Sequence, residues 1–392
     1  MRILHVISSF QLGGAEVSVV QLAQALQGVG HTCCVVQVVA PRKPSLQGKK
    51  LVRECLESGV KVVELGWGGK RTSLLTSPIR LARLIRLWAP DLVHSHTDLP
   101  DFVVSVVTRL RPVKIVRTIR NTELWPTRPL TGRIVEQSFR DDMVVSISAD
   151  ASRAYDQLRA SHSLPQSRYR AIINTGFCAT EVHREKNRSI LAARYEADLS
   201  KIQLCFAGRF VPQKGLDILI AAIDRLGLRA RANLEIHCFG EGPYLAELKA
   251  AKASGLPIKI HLPVPQIAEL FSAFDYTLIP SRFEGLCRVS LESLIAGTPV
   301  IASDAPGLRE TLPNDWPLTF PNADTVTLAT ILCQVASGAF DDKMDALRSR
   351  GTEWVKSRFS MDAMVRAYES VYELYLSGKP FSLDFRNRGR EG

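Results

Sequence analysis

The sequence predicts an α/β protein built from two doubly wound parallel sheets, each belonging to a Rossmann-like domain. Three observations carry that expectation. The length of 392 residues holds two domains of ordinary size, strand and helix signals alternate from the first residue, and the same scheme restarts near residue 203. Apolar residues make up 46% and charged residues 23%, a balance that excludes disordered, collagen-like and low-complexity classes. No run of about 18 apolar residues occurs, so no spanning helix is expected. The short apolar start, Ile3-Leu4-His5-Val6-Ile7, lacks a following small-residue cleavage site and reads as a first strand.

The elements follow in order. The run Ile3 to Ser8 is a strand ending in Gly13-Gly14. Val17, Val20, Leu22, Ala23 and Leu26 then keep helical spacing, and Cys33 to Val39 returns as a β-rich run. Leu81, Leu84, Ile85 and Trp88 share a helix face closed by Pro90, giving a helix over Pro78–Trp88. Asp91 to His96, Val113 to Ile119 and Val144 to Ser148 read as strands, 149–160 as a helix, and Tyr169 to Ile173 as a strand. The polar, aperiodic stretch Thr180–Ser189 reads as a linker, which bounds a first domain at 1–183 and a second at 190–358.

The second half repeats the plan. Gln203–Ala207 is a strand, with Gly208-Arg209 and a helix from Leu216 behind it. Leu234–Phe239 leads into Gly240-Glu241-Gly242-Pro243 and another helix. Short strands follow at 258–262 and 276–280, a helix at about 289–296, a strand at 299–302, and a helical tail from about Asp324. Ligands of such sheets bind at the carboxyl ends of the strands, which puts the expected site in a cleft between the two domains.

Eight cysteines form no Cys-x-x-Cys pair and carry no accompanying His-x3-His spacing, so neither a zinc site nor a disulfide framework is expected. The net charge of +11 is uneven: residues 1–196 balance to +12 and residues 197–392 to −1. An excess confined to one half suggests an anionic partner for that half.

Three segments could carry chemistry. Gly13-Gly14-Ala15-Glu16 follows the first strand and opens a helix, so backbone N–H groups there can face an anion. Its spacing is not G-x-G-x-x-G, which argues against a nicotinamide cofactor. Gly208-Arg209-Phe210-Val211-Pro212-Gln213-Lys214-Gly215 puts two cations, Arg209 and Lys214, on one strand-to-helix loop, a set that suits a diphosphate. In Glu284-Gly285-Leu286-Cys287-Arg288-Val289-Ser290-Leu291-Glu292, Glu284 falls in a loop and Glu292 about two turns into a helix. Carboxylates beside cations suit sugar hydroxyls, because each oxygen accepts a hydrogen bond. His94 and His96 alternate on a strand and share a face; a structural or acceptor-binding role is expected, since no third metal ligand is evident.

Gly-Gly-Ala-Glu, Ala-Gly-Arg with Gln-Lys-Gly, Gly-Glu-Gly-Pro, Pro-Ser-Arg-Phe-Glu-Gly and Glu-Ser-Leu-Ile-Ala-Gly-Thr-Pro-Val-Ile-Ala-Ser occur in one order. Together they resemble the retaining glycosyltransferases of family 4, which have the GT-B fold and a Glu-x7-Glu hallmark. The resemblance implies that Glu284 contacts the donor sugar, Glu292 the donor ribose, and Arg209 and Lys214 the diphosphate, with Gly14 beside the transferring centre and Gly13 in the donor-binding set. Gly285, Leu286 and Cys287 complete the implied donor-binding set. It implies no cofactor and no metal, since cations replace an Asp-x-Asp motif. It also implies that a helix at about 361–376 returns to the first domain. One departure stands out. Family members often carry Thr-x-His after the strand at 113–119, and here the segment is Thr118-Ile119-Arg120. Arg120 can stabilise charge near the leaving phosphate but cannot act as a base. The expected catalytic residues are therefore Arg209, Lys214, Glu284 and Arg120.

The expected reaction moves a sugar from a nucleotide diphosphate donor, a UDP-sugar by resemblance, to a glycan acceptor. A nucleotide-sugar epimerase of the same fold and a non-enzymatic nucleotide-sugar binder are the alternatives. Seven cations between Arg109 and Arg133 (109, 111, 114, 117, 120, 128 and 133), with Trp125 among them, join Arg80, Arg83 and Arg86 upstream. This excess suggests an anionic, lipid-linked acceptor such as lipopolysaccharide, and peripheral association with the inner face of a bacterial cytoplasmic membrane. No nucleic-acid module is recognisable.

Overall fold

A computed structural model describes residues 1–10, 13–40, 45–67, 69–108, 113–126, 129–139, 141–177, 182–264 and 267–386. The chain divides into two units, Met1–Gly176 with Met361–Gly392, and Phe177–Ser360.

The first unit carries strands β1 (Arg2–Ile7), β2 (Thr32–Gln37), β3 (Lys61–Glu64), β4 (Leu92–His96), β5 (Lys114–Ile119), β6 (Met143–Ser146) and β7 (Tyr169–Ile172). Its helices are α1 (Gly14–Gly28), α2 (Leu46–Glu57), α3 (Lys70–Trp88), α4 (Asp98–Thr108), α5 (Pro129–Ser138) and α6 (Ala149–Ser161). The second unit adds β8 (Ile202–Ala207), β9 (Leu234–Phe239), β10 (Ile258–His261), β11 (Tyr276–Ile279), β12 (Val300–Ser303) and β13 (Thr319–Phe320). Helices α7 (Arg184–Tyr195), α8 (Leu216–Asp224), α9 (Leu228–Asn233), α10 (Leu245–Ala253), α11 (Ile267–Leu270), α12 (Arg288–Ile295), α13 (Thr325–Ala336) and α14 (Met344–Arg358) belong with it. The chain then returns to the first unit as α15 (Met361–Leu376) and β14 (Phe381–Asp384).

Both sheets are parallel throughout. The first has the order β14-β7-β6-β5-β4-β1-β2-β3 and the second β10-β9-β8-β11-β12-β13. Parallel sheets need cover on both faces, and the strand sequences supply it. In β1, Ile3 and Ile7 enter the core shared with Val19, Leu22, Tyr368 and Tyr372, whereas Leu4 and Val6 enter the opposite core with Leu81 and Val103. Strand order reverses at β1/β4 in the first sheet and at β8/β11 in the second, the points at whose carboxyl ends ligands of such sheets bind.

Three expectations change. Residues 184–189, read as linker, lie inside α7. Only Leu191 of that helix is buried; Arg184, Asn187 and Arg188 instead dock by hydrogen bonds to Ser272, Phe274 and Asp275, so no apolar period marks it. The first unit accordingly ends at Gly176 and not at 183. Helix α3 begins at Lys70, eight residues before Pro78, because Ser73 and Ser77 satisfy backbone groups of Trp67 and Val38 beneath it.

The basic stretch after Arg109 is also not one surface. Arg109, Arg111 and Arg128 lie outside the described residues. Arg117 is 1% exposed and donates to Asp101, Glu136, Asp142 and the Tyr155 hydroxyl at 2.6–3.3 Å. Trp125 is in the core, against Gly132. Lys114 lies over the Tyr375 ring at 4.7 Å. Of the described members, Arg133 is exposed and Arg120 is half-buried. Among the described cysteines, six are buried and Cys333 is exposed, all as free thiols; Cys178 lies outside the described residues.

Candidate functional site

The second unit builds its site at the β8/β11 reversal. The segment after β8 passes through a short 3-10 turn, Pro212–Lys214, into Gly215 at φ +66°. A side chain at Gly215 would put Cβ 1.9 Å from the Pro280 carbonyl oxygen, so only glycine lets this turn lie against the end of β11. Hydrogen bonds then tie the two loops. Arg282 N–H donates to the Gln213 carbonyl at 2.8 Å, and Gln213 Nε2 donates to the Phe283 carbonyl at 3.0 Å. The Arg282 guanidinium forks onto both oxygens of Asp217 at 2.8 and 2.6 Å.

This bracing brings Lys214 to Glu284. Lys214 Nζ donates to Glu284 Oε1 at 2.6 Å, and Ser281 Oγ donates to the same oxygen at 2.8 Å. Burial works against the Lys214 charge, but the Glu284 carboxylate outweighs it and holds the ammonium above the usual lysine range. Glu284 is 7% exposed, more enclosed than a free loop acid. Its N–H donates to the Pro306 carbonyl at 2.9 Å, over Gly307 at φ +73°, where a Cβ would fall 2.1 Å from the Glu284 carbonyl oxygen.

The other candidates of this unit surround that pair. Arg209 is exposed, with Nη2 at 3.4 Å from Gln213 Oε1, on the same loop as Lys214. Gly285 and Leu286 continue the Glu284 loop. Cys287, the residue before α12, is buried; burial first, then the Glu284 charge, pushes its thiol up to about 12, so it is neutral at pH 7. Glu292 is one turn into α12, not two, and accepts from Arg288 at 2.8 and 3.2 Å. The two acids of the hallmark spacing thus have different cationic partners.

In the first unit, Gly13 has extended backbone and precedes α1, and Gly14 is the first residue of that helix. Arg120 follows β5 at its carboxyl end, and its Nη2 lies 3.3 Å from His96 Nδ1. His5, missed by sequence reasoning, is register-paired with His94 and places Nδ1 3.1 Å from His96 Nε2. The third imidazole that the spacing of His94 and His96 could not show comes from a strand about ninety residues away; only strand pairing reveals it. His94 bonds Tyr372 through Nδ1 at 2.7 Å and Thr118 through Nε2 at 2.6 Å. All three rings are buried. Burial first, then Arg120, lowers His5 to about 3, and burial with neighbouring positive charge puts His94 and His96 well below neutrality. One nitrogen of each ring lies within 4.8 Å of the others, close enough to share an ion, but the Arg120 guanidinium sets a fixed positive charge against that cluster.

Two family models match the chain, Glycosyltransferase Family 4 over 12–172 and Glycosyl transferases group 1 over 201–337. Among curated relatives, the D-inositol 3-phosphate glycosyltransferase of Streptosporangium roseum is 27% identical over 62% of this chain and 60% of its own. The glycogen synthase of Mycobacterium tuberculosis is 26% identical over 80% of each chain. The chain thus spans about 60% of the length of the first relatives it matches. Among solved structures, Anabaena HepE in complex with UDP-glucose superposes with a TM-score of 0.79 at 18% identity, covering 95% of this chain and 99% of that one. Sucrose-phosphate synthase from Thermosynechococcus elongatus gives 0.76 at 16% identity, covering 96% and 100%. Both likenesses concern the fold.

Proposed function

The chain belongs to the glycosyltransferases of family 4, and from that premise we propose that it moves a sugar, with retention and without a metal, from a nucleotide diphosphate donor to an anionic glycan acceptor. The observation that carries this reading is the Lys214–Glu284 pair, held at the strand ends by Gly215 and flanked by Arg209. Lys214 and Arg209 offer two positive charges to a leaving diphosphate, as preorganised donors do for charge that develops in a transition state. Glu284 orients the sugar and Glu292 the ribose, and Arg120 supplies a permanent cation to the transfer step. Retention then proceeds by front-face attack, the leaving phosphate taking the acceptor proton. A UDP-sugar donor is supported by the solved complex of HepE.

Incubation with UDP-sugars and an anionic glycan acceptor in excess chelator is expected to yield a glycosylated product with the donor's anomeric configuration. Release of an epimerised free sugar without acceptor product would favour an epimerase. Loss of transfer that magnesium or manganese restores would contradict metal independence.

The acceptor reading adds a membrane surface of the cytoplasmic face, carrying a lipid-linked envelope glycan such as lipopolysaccharide. What supports it is α3. Arg71, Leu75, Ile79 and Arg86 form one stripe, with Arg83 and Leu87 beside it. Leu75, Ile79 and Leu87 are 70–75% exposed, and Trp67 just before the helix is 64% exposed. A depression lined by Ala82, Arg83, Arg86 and Leu87 lies on the same helix. Exposed apolar side chains among arginines suit the interface of an anionic bilayer, where each cation contributes about 1 kcal/mol, screened by salt. No described helix is long and apolar enough to cross a membrane. Cosedimentation with phosphatidylglycerol vesicles is expected, fading as salt rises, and weakened both by Leu75→Asp with Ile79→Asp and by neutralising Arg83 and Arg86. Equal binding to neutral and anionic vesicles would sink the membrane reading.

A further inference from the structure

The buried histidines of the first unit can be given definite proton positions from one contact. Arginine has donors only, so the nitrogen facing Arg120 Nη2 must be a lone-pair acceptor. That nitrogen is His96 Nδ1, at 3.3 Å. A neutral imidazole carries one proton, which in His96 must then sit on Nε2. His96 Nε2–H in turn faces His5 Nδ1 at 3.1 Å, which must accept. The His5 proton is therefore on Nε2 as well, and this buried N–H has no partner among the described residues. The rings of His5 and His96 stack at 5.4 Å with 21° between planes, and His94 packs against His96 at 3.9 Å. His94 is held from the other side by Tyr372 and Thr118. Every ring in the cluster is thus pinned by its neighbours, and the guanidinium stands at the end of this chain of contacts.

We propose that His96 is a positioning residue for Arg120, and that His5 is the group that locks it. The pair acts as a tautomer relay: His5 Nδ1 holds the His96 proton on Nε2, which keeps a lone pair aimed at Arg120 and fixes where the guanidinium stands. A ring in the other tautomer would turn an N–H toward a cation that cannot accept it. The proposal rests on the reading that Arg120 serves the transfer step. The relay adds a role for two side chains that touch neither substrate nor reacting atoms.

Two measurements test it on the full-length protein. Nitrogen-15 spectra of histidine-labelled protein at pH 7 should show both His5 and His96 as neutral Nε2–H tautomers, assigned with His5→Asn and His96→Asn. An Nδ1–H or charged His96 overturns the relay whatever the activity, and so does stoichiometric zinc that shifts the His5, His94 and His96 signals together, since the three rings would then be metal ligands. Kinetics supply the second arm. His96→Ala should lower kcat by roughly 10- to 100-fold, the scale of a misplaced catalytic group, with donor KM nearly unchanged. His96→Asn, whose carbonyl can stand in for Nδ1 as acceptor, should recover most of that loss. Arg120→Ala should be no worse when combined with His96→Ala, because one residue acts through the other. Additive losses, or a His96→Asn variant as poor as His96→Ala, overturn the positioning role. A fully active Arg120→Ala would instead remove Arg120 from the transfer step, a failure of the functional reading that the spectra keep separate.

Discussion

Replacing Lys214 with alanine is expected to lower turnover by roughly 100-fold or more, the cost of losing one preorganised donor to a developing anion. Its ammonium is charged at working pH, because Glu284 at 2.6 Å more than offsets the effect of burial. Under the proposed function, a diphosphate beside it gives that charge a second anionic partner. Arg209→Ala should fall on the same scale, since Arg209 is the other cation of the loop and its side chain is exposed. Glu284→Ala is predicted to behave differently from a simple surface change: it removes the acceptor of both Lys214 and Ser281. The Lys214→Ala and Glu284→Ala effects should be strongly non-additive in the double variant, as for any directly bonded pair. Initial rates against donor concentration check this, with thermal unfolding as a control for folding. Near-normal turnover in both cation variants would end their role in catalysis.

The largest effect on stability is expected at Arg117. Its side chain is 1% exposed and bonded to three carboxylates, Asp101, Glu136 and Asp142. Arg159 lies against Glu136 in the same cluster. Arg117→Met leaves those acids with too little positive charge, and breaking a buried ion network from one side costs about 3–5 kcal/mol. That corresponds to a drop in Tm on the order of 10 °C for a unit of this size. The pH dependence has a definite sign. Burial already raises the carboxyls of Asp101 and Asp142 above the usual aspartate range, against the pull of Arg117. A carboxyl with a raised folded pKa stabilises the fold below its unfolded value and loses that contribution as pH rises through the folded one. Without Arg117 the rise is larger, so the deficit of the variant should grow from pH 5 to pH 8. Circular-dichroism melts at both pH values would show it; an unchanged Tm would mean that the network contributes nothing.

How far the sequence reveals this molecule depends on the distance over which each signal acts. The central strands were legible because both faces are buried, which produces near-continuous apolar runs such as Ile3–Ile7 and Cys33–Val36. The Arg209–Lys214 and Glu284–Glu292 segments could be singled out because each is one short run of chain, the first after β8 and the second passing from a loop into α12. Strands β3 and β14 lie at the two edges of their sheet, four residues each, with alternating or incomplete burial, and leave no comparable run. Helix α7 is held by arginine and asparagine side chains and not by an apolar stripe, so its sequence looks like linker. Arg117 counted as a surface cation because its three acids lie 16 to 25 residues away along the chain. The same holds for His5, whose meaning depends on β4, which comes beside β1 only in the folded sheet, and on β5 on the far side of β4.

The return of α15 and β14 to the first unit sets an order of assembly. Tyr368 and Tyr372 complete one face of the first core, Tyr372 bonds His94, and β14 supplies the outermost strand beside β7. On the ribosome, none of these is available until the whole of Phe177–Ser360 has been made. The second unit, continuous in sequence, can therefore close while the first still lacks the tyrosines of α15 that pack against His94 and Tyr169. The nascent chain spends that interval with one core incomplete, the period in which association with other unfinished chains competes with folding. Translation speed across residues 177–360 governs how long the interval lasts, so synonymous changes there should alter soluble yield of the first unit without altering a single residue of it.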